Sequence, residues 1–90
     1  MKTHNIKILE TFADDVLAGR KPFEIRENDR SYQKGDHIIF TVLPQDVRYR
    51  CDGHKLNGKE YEITYVLSGW GLKKGYVALG IKEVAKCTED

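Results

Sequence analysis

Apolar and polar residues along this chain recur at two periods, and the period changes mark the elements. His4, Ile6 and Ile8 share one parity, with Asn5 and Lys7 on the other, which predicts a short half-buried strand. Leu9, Phe12, Ala13, Val16 and Leu17 follow at helical spacing. Thr11 with Asp14 three residues later fits a capping box, and Asp14 and Asp15 suit the positive end of the helix dipole. Gly19 is the expected stop, so the helix has only about two turns and needs a sheet to pack on. Pro22 pushes Lys21 into an extended conformation. Phe23 and Ile25 then point to the core and Glu24 and Arg26 to the other face. The run His37–Leu43 predicts a central strand closed by Pro44. Residues 44–58 read as a loop or irregular hairpin. Tyr61, Ile63, Tyr65 and Leu67 alternate with polar or smaller residues as a further strand. Gly69–Gly75 is a glycine-rich connection, and Val77, Leu79 and Ile81 share one face of a last strand. The tail from Lys82 extends that strand and then frays.

About five strands and one early helix predict a mainly β (α+β) fold, a small, partly closed five-stranded barrel. Closure removes the exposed edges that such a sheet otherwise carries. The expectation is one domain over residues 1–90, with a core from 2 to 81 and a tail from 82 to 90. No run approaches the 20 or so apolar residues a membrane span needs. Met1–Asn5 does not read as a secretory signal, because no apolar stretch follows the charge.

Net charge is +1, which argues against a protein that coats duplex DNA by bulk electrostatics. The charge is uneven, however: Arg20, Lys21, Arg26, Arg30 and Lys34 outnumber the acids between residues 19 and 35. Two cysteines without paired spacing, Cys51 and Cys87, point to a reducing compartment and a cytoplasmic location. Cys51-x-x-His54 resembles half a zinc site, but only Cys87, His4 and His37 remain to complete it, so no metal and no cofactor is expected.

The densest candidate chemistry lies in Gly19-x-Lys21-x-x-Glu24-x-Arg26. Arg26 offers a planar fork and Lys21 a point charge to an anion, with Arg30 in the next turn as a third donor. Glu24 can accept hydrogen bonds from a base amino group or a ribose hydroxyl, or simply pair with its neighbours. His4 falls on an apolar parity, where it is either a satisfied core ring or a pocket residue. Trp70, between two glycines, either stacks on a base or plugs one end of the barrel, with Tyr76 and Tyr32 as further aromatic candidates. Arg48-Tyr49-Arg50 and Lys73-Lys74 are additional basic sites, or ordinary solvated turns.

The same residues carry a family resemblance. Lys2-Thr3-His4, the G-x-K-x-x-E-x-R element, Phe23–Arg30, Gly35-Asp36 and Gly69–Val77, in this order over roughly residues 2–81, resemble the ASCH superfamily. Within it, the chain resembles more closely a group of small ASCH-like domains found in bacteria and their phages. That resemblance implies a PUA-like barrel that holds RNA or a nucleotide in a cleft beside the motif. Some ASCH relatives are enzymes: one subgroup resembles an amidohydrolase acting on acetylcytidine through a Lys, a Thr and a Glu, and another member behaves as a ribonuclease. Lys21 matches the lysine, but Glu24 stands at the threonine position, so the attacking hydroxyl is missing. The leading expectation is therefore an RNA- or nucleotide-binding module using Lys21, Glu24, Arg26, Arg30, His4, Trp70 and Tyr76. The alternatives are a hydrolase with Lys21 and Glu24 as acid/base residues, aided by Glu60, Glu62 or His4, and a protein-interaction adaptor.

Overall fold

The computed structural model describes residues 1–46 and 48–85 of the 90-residue chain. Strand β1 (Thr3–Leu9) runs directly into helix α1 (Glu10–Leu17), and strands β2 (Phe23–Glu27), β3 (His37–Leu43), β4 (Glu60–Ser68) and β5 (Tyr76–Glu83) follow. They form one mixed sheet in the order β1-β3-β4-β5-β2, with β1 parallel to β3 and the other pairs antiparallel. The sheet curls into a half-barrel. Ile6, Ile8, Ile38, Phe40, Val42, Ile63, Val77, Leu79 and Ile81 fill its concave side, and α1 adds Ala13 and Val16. Each large apolar side chain removed from water there stabilises the fold by about 1.5–3 kcal/mol. Among the described residues no helix is long and apolar enough to cross a membrane.

The helix stops where its glycine indicates but starts differently. Gly19 has φ +81°, the Gly19 N–H donates to Val16 O at 3.1 Å, and the Arg20 N–H donates to Asp15 O at 2.9 Å. That is a Schellman closure. At the other end Leu9 is the cap residue and offers no side-chain bond, so the Thr11–Asp14 box does not form. The helix begins too early for it, because the last residue of β1 turns directly into the first helical residue. Asp14 and Asp15 consequently lie in the second half of the helix, where Asp14 pairs with His54 and Asp15 with Arg20. Residues 48–58 form turns that contribute Cys51 and Leu56 to the core, which a purely solvated hairpin would not.

The alternation of β4 breaks in mid-strand. Ile63 pairs with Ile81 and Tyr65 with Gly80, leaving Thr64 as an extra residue in a bulge. The parity flips there, so Tyr65 faces solvent and Val66 packs against the core. Gly80 makes the bulge possible, since a Cβ at Gly80 would lie 2.9 Å from Thr64 Oγ1 and 3.4 Å from Tyr65 Cβ. We expect Gly80→Ala to cost about 1–2 kcal/mol by overpacking in urea denaturation. The loss should shrink in a Thr64→Ala background, because that hydroxyl is the first atom struck. Equal losses in both backgrounds would show that the bulge does not depend on Gly80.

Candidate functional site: a seam between the first two strands

The half-barrel leaves β1 and β2 as its two edges. The Asn28 N–H donates to Gly75 O and the Ile81 N–H to Pro22 O, so even-numbered residues of β2 bond β5 and odd-numbered ones face away from it. On β1, Lys2 O accepts from the His37 N–H, so the carbonyls of Asn5 and Lys7 face away from β3. Two arginines from the other edge take those carbonyls. Arg26 Nη2 donates to Lys7 O, and Arg30 Nη1 donates to Asn5 O at 2.8 Å. Guanidinium groups thus bridge the seam where a closed barrel would have a backbone ladder.

Beside the seam the β2 side chains reverse their expected orientation. Glu24 is 5 % exposed, whereas Phe23 is 42 % and Ile25 51 % exposed. The parity assigned from apolarity is therefore corrected: the carboxylate points inward and the two apolar side chains outward. The reversal holds because both Glu24 oxygens find cations. Lys21 Nζ donates to Oε1 at 2.7 Å and Arg26 Nε to Oε2 at 3.1 Å. Buried charge is tolerated when paired in this way. Lys21 Nζ also donates to Phe23 O at 3.0 Å and lies 5.5 Å and 5.0 Å from the ring centres of Phe12 and Phe23.

A groove of about 330 Å³ opens along the seam, lined by Lys7, Ile8, Leu9, Phe12, Glu24, Ile25, Arg26, Glu27 and Tyr76. That volume is at the small end of ligand sites. Its chemistry is mixed: apolar walls from Leu9, Phe12 and Ile25, one aromatic from β5, and an ionic centre at Glu24 and Arg26. Lys21 lies behind Glu24 and lines a smaller hollow of about 140 Å³ with Val16, Leu17, Tyr61 and Ile81. The three ionic residues of the motif therefore form one chain, Lys21–Glu24–Arg26, but only the last two face the main groove.

Of the other sequence candidates, Tyr76 lines the groove and Arg30 sits on the seam. His4 does not line it. Its buried ring bonds Asp36 Oδ2 at 2.9 Å and packs on Tyr32 at 4.8 Å between centroids, so the core role fits and the pocket role is corrected. Trp70 is 90 % exposed, which overturns the barrel-plug alternative; it too lies off the groove. Glu60 is occupied by His37, and Glu62 is exposed on β4 outside the groove. His54 bonds Asp14 and accepts from the Leu56 N–H at 3.1 Å, so both ring nitrogens are committed, and Cys87 lies outside the described residues. Among the described residues no group of three or more His, Cys, Asp or Glu is placed to hold a metal ion.

Sequence reasoning missed Lys7, Leu9 and Phe12. Their signal was available: each is long or apolar and sits where β1 passes into α1, opposite the motif. Tyr32, a further aromatic candidate in the sequence, is a buried core ring whose hydroxyl has no hydrogen-bond partner among the described residues. Burial pushes that phenol above its ordinary range, against the opposing pull of Arg26 and Arg30. It therefore persists as a protonated donor among the seam charges.

Comparison with known proteins comes to the same stretch of chain. Residues 3–81 match the family described as Domain of unknown function (DUF3850). An uncharacterized 12.9 kDa protein in the GpA 3' region of Escherichia phage P2 is 35 % identical over 69 residues, 77 % of this chain. The chain spans 60 % of the length of that curated relative. The crystal structure of hypothetical protein PH0355 superposes with a TM-score of 0.57 at 20 % identity, over 93 % of this chain and 100 % of that one, a likeness of fold.

Proposed function

We propose that this chain, which belongs to the DUF3850 family, is a small module that binds RNA or a nucleotide in the β1–β2 groove. The observation that carries the reading is the paired Glu24 carboxylate inside an aromatic-walled groove clasped by arginines. Each Glu24 oxygen has spent one acceptor site on a cation and keeps another for a base amino group or ribose hydroxyl. Arg26 uses its Nε on Glu24 and one Nη2 hydrogen on Lys7 O, leaving N–H groups for a phosphate. Lys7 stands at the lip, and Tyr76 and Phe12 offer faces for a base. The resemblance to ASCH domains with a PUA-like barrel supports the same ligand class. A hydrolytic role has less support, since neither Glu60, Glu62 nor His4 reaches the groove to assist Glu24.

The test is thermal unfolding with mononucleotides and short single-stranded RNA over a range of salt. A ligand at 100 times its Kd stabilises by about 2.7 kcal/mol. For a domain of this size that raises the Tm by about 10 °C or more. The gain should fall as salt rises, because phosphate contacts release counterions. No shift from any nucleotide or RNA at low salt overturns the reading.

A further inference from the structure

The hairpin between β4 and β5 carries a second feature that the groove does not use. Gly69, Trp70 and Gly71 are consecutive left-handed residues, with φ of +74°, +52° and +90°. Glycine adopts that region freely, but a bulky side chain is strained there. The local fold nevertheless holds Trp70 in it, with turn bonds from the Leu72 N–H to Gly69 O at 3.0 Å and from the Tyr76 N–H to Lys73 O at 2.9 Å. The indole ends 90 % exposed, with no side-chain hydrogen bond or ring partner among the described residues. A large aromatic held into water against its backbone preference stabilises nothing in the fold itself.

Its surroundings indicate the partner. From Ser68 to Leu79 the chain has two lysines and no acidic residue. The Lys73 ammonium lies 5.7 Å from the ring centre of Tyr76, the same ring that lines the groove. Tyr76 is six residues from Trp70, so their Cα atoms are no more than about 21 Å apart. The hairpin is therefore cationic and aromatic, and it meets the groove at Tyr76, where Glu27 also lines the wall.

We propose that Trp70 stacks on a base of a single-stranded nucleic acid whose other end lies in the β1–β2 groove, so that the ligand is an oligonucleotide rather than a free nucleotide. This rests on the function proposed for the groove and specifies its ligand. Stacking on an indole is tolerant of sequence, and lysines beside it follow the phosphates. A protein or lipid partner would be equally content with an exposed indole. The two lysines on a hairpin that carries no acid, and its link through Tyr76 to the groove, favour nucleic acid.

Trp70 is the only tryptophan, so its fluorescence reports on this site alone. A single-stranded RNA of about eight nucleotides, within the range such surfaces cover, should quench it, and AMP should not. Trp70→Ala should weaken binding of that RNA about 5- to 150-fold while leaving AMP affinity unchanged, and Trp70→Phe should restore part of the loss. If AMP and RNA both bind but the fluorescence stays constant and Trp70→Ala binds RNA normally, the inference falls and the groove reading stands. If neither ligand binds, both fall. A spectral shift with vesicles containing anionic lipid, and none with RNA, overturns it in favour of a membrane contact.

Discussion

Asp36→Ala should destabilise this protein by about 3–5 kcal/mol in urea denaturation, the range for removing one partner from a buried charged network. A chain of this length has about 5–13 kcal/mol in total, so much of the stability rests on one carboxylate. Asp36 is buried just before β3 and ties three segments together. Its Oδ1 accepts from the Lys2 N–H at 3.0 Å, ahead of β1. Its Oδ2 accepts from His4 Nε2 at 2.9 Å and from the Gln33 N–H at 3.1 Å. Its own carbonyl accepts from the Ile63 N–H on β4 at 2.7 Å. Burial alone pushes the carboxyl up, but the bonds from His4, Lys2 and Gln33 outweigh it and hold the group below its ordinary value of 3.8. A carboxyl depressed on folding contributes stability that is complete above the unfolded pKa and is lost as pH falls through the folded one. The wild type should therefore lose stability on acidification from about pH 4 downward, and Asp36→Asn should flatten that limb. An unchanged acid limb in Asp36→Asn would show that another group governs it.

None of that network was visible in the residue pattern, where Gly35-Asp36 figures in the family resemblance and His4 reads as either core or pocket. Alternation reports which face is buried but not which polar side chain a buried face can satisfy. It worked for β3, whose limits match the sequence reading, and for β5, where Val77, Leu79 and Ile81 share the inner face. It also gave the early helix and its glycine stop. It failed on β2 because apolarity alone points Phe23 and Ile25 inward, whereas Glu24 holds the inner position with a cation on each oxygen. It failed within β4 because a bulge adds one residue without altering composition. The motif Lys21, Glu24, Arg26 was legible as a unit since its spacing within one short segment keeps the charges together. The other half of the groove, from the end of β1 and the start of α1, depends on the sheet curling until its edges meet, and no local pattern encodes that.

That curl makes Arg26 the residue on which site and closure meet, and its variants separate the two roles. Arg26 reaches Glu24 and the Lys7 carbonyl at once, a span that a planar fork makes and an ammonium does not. Arg26→Lys keeps the charge but should still weaken nucleotide binding by about 10- to 100-fold, the value of one or two hydrogen bonds to charged groups. Arg26→Gln should lose as much and also reduce the slope of log affinity against log salt by roughly 0.7 for a single-stranded ligand, because one phosphate contact is gone. Glu24→Gln should behave differently. It leaves the cations facing an amide, costs about 1–3 kcal/mol of stability, and weakens binding without changing the salt slope, since its contact is to base or sugar. Isothermal titration at several salt concentrations reads all three. Identical slopes for the wild type and Arg26→Gln would mean that the clasp only closes the barrel. A ligand held as tightly by Glu24→Gln as by the wild type would move recognition away from the buried carboxylate altogether.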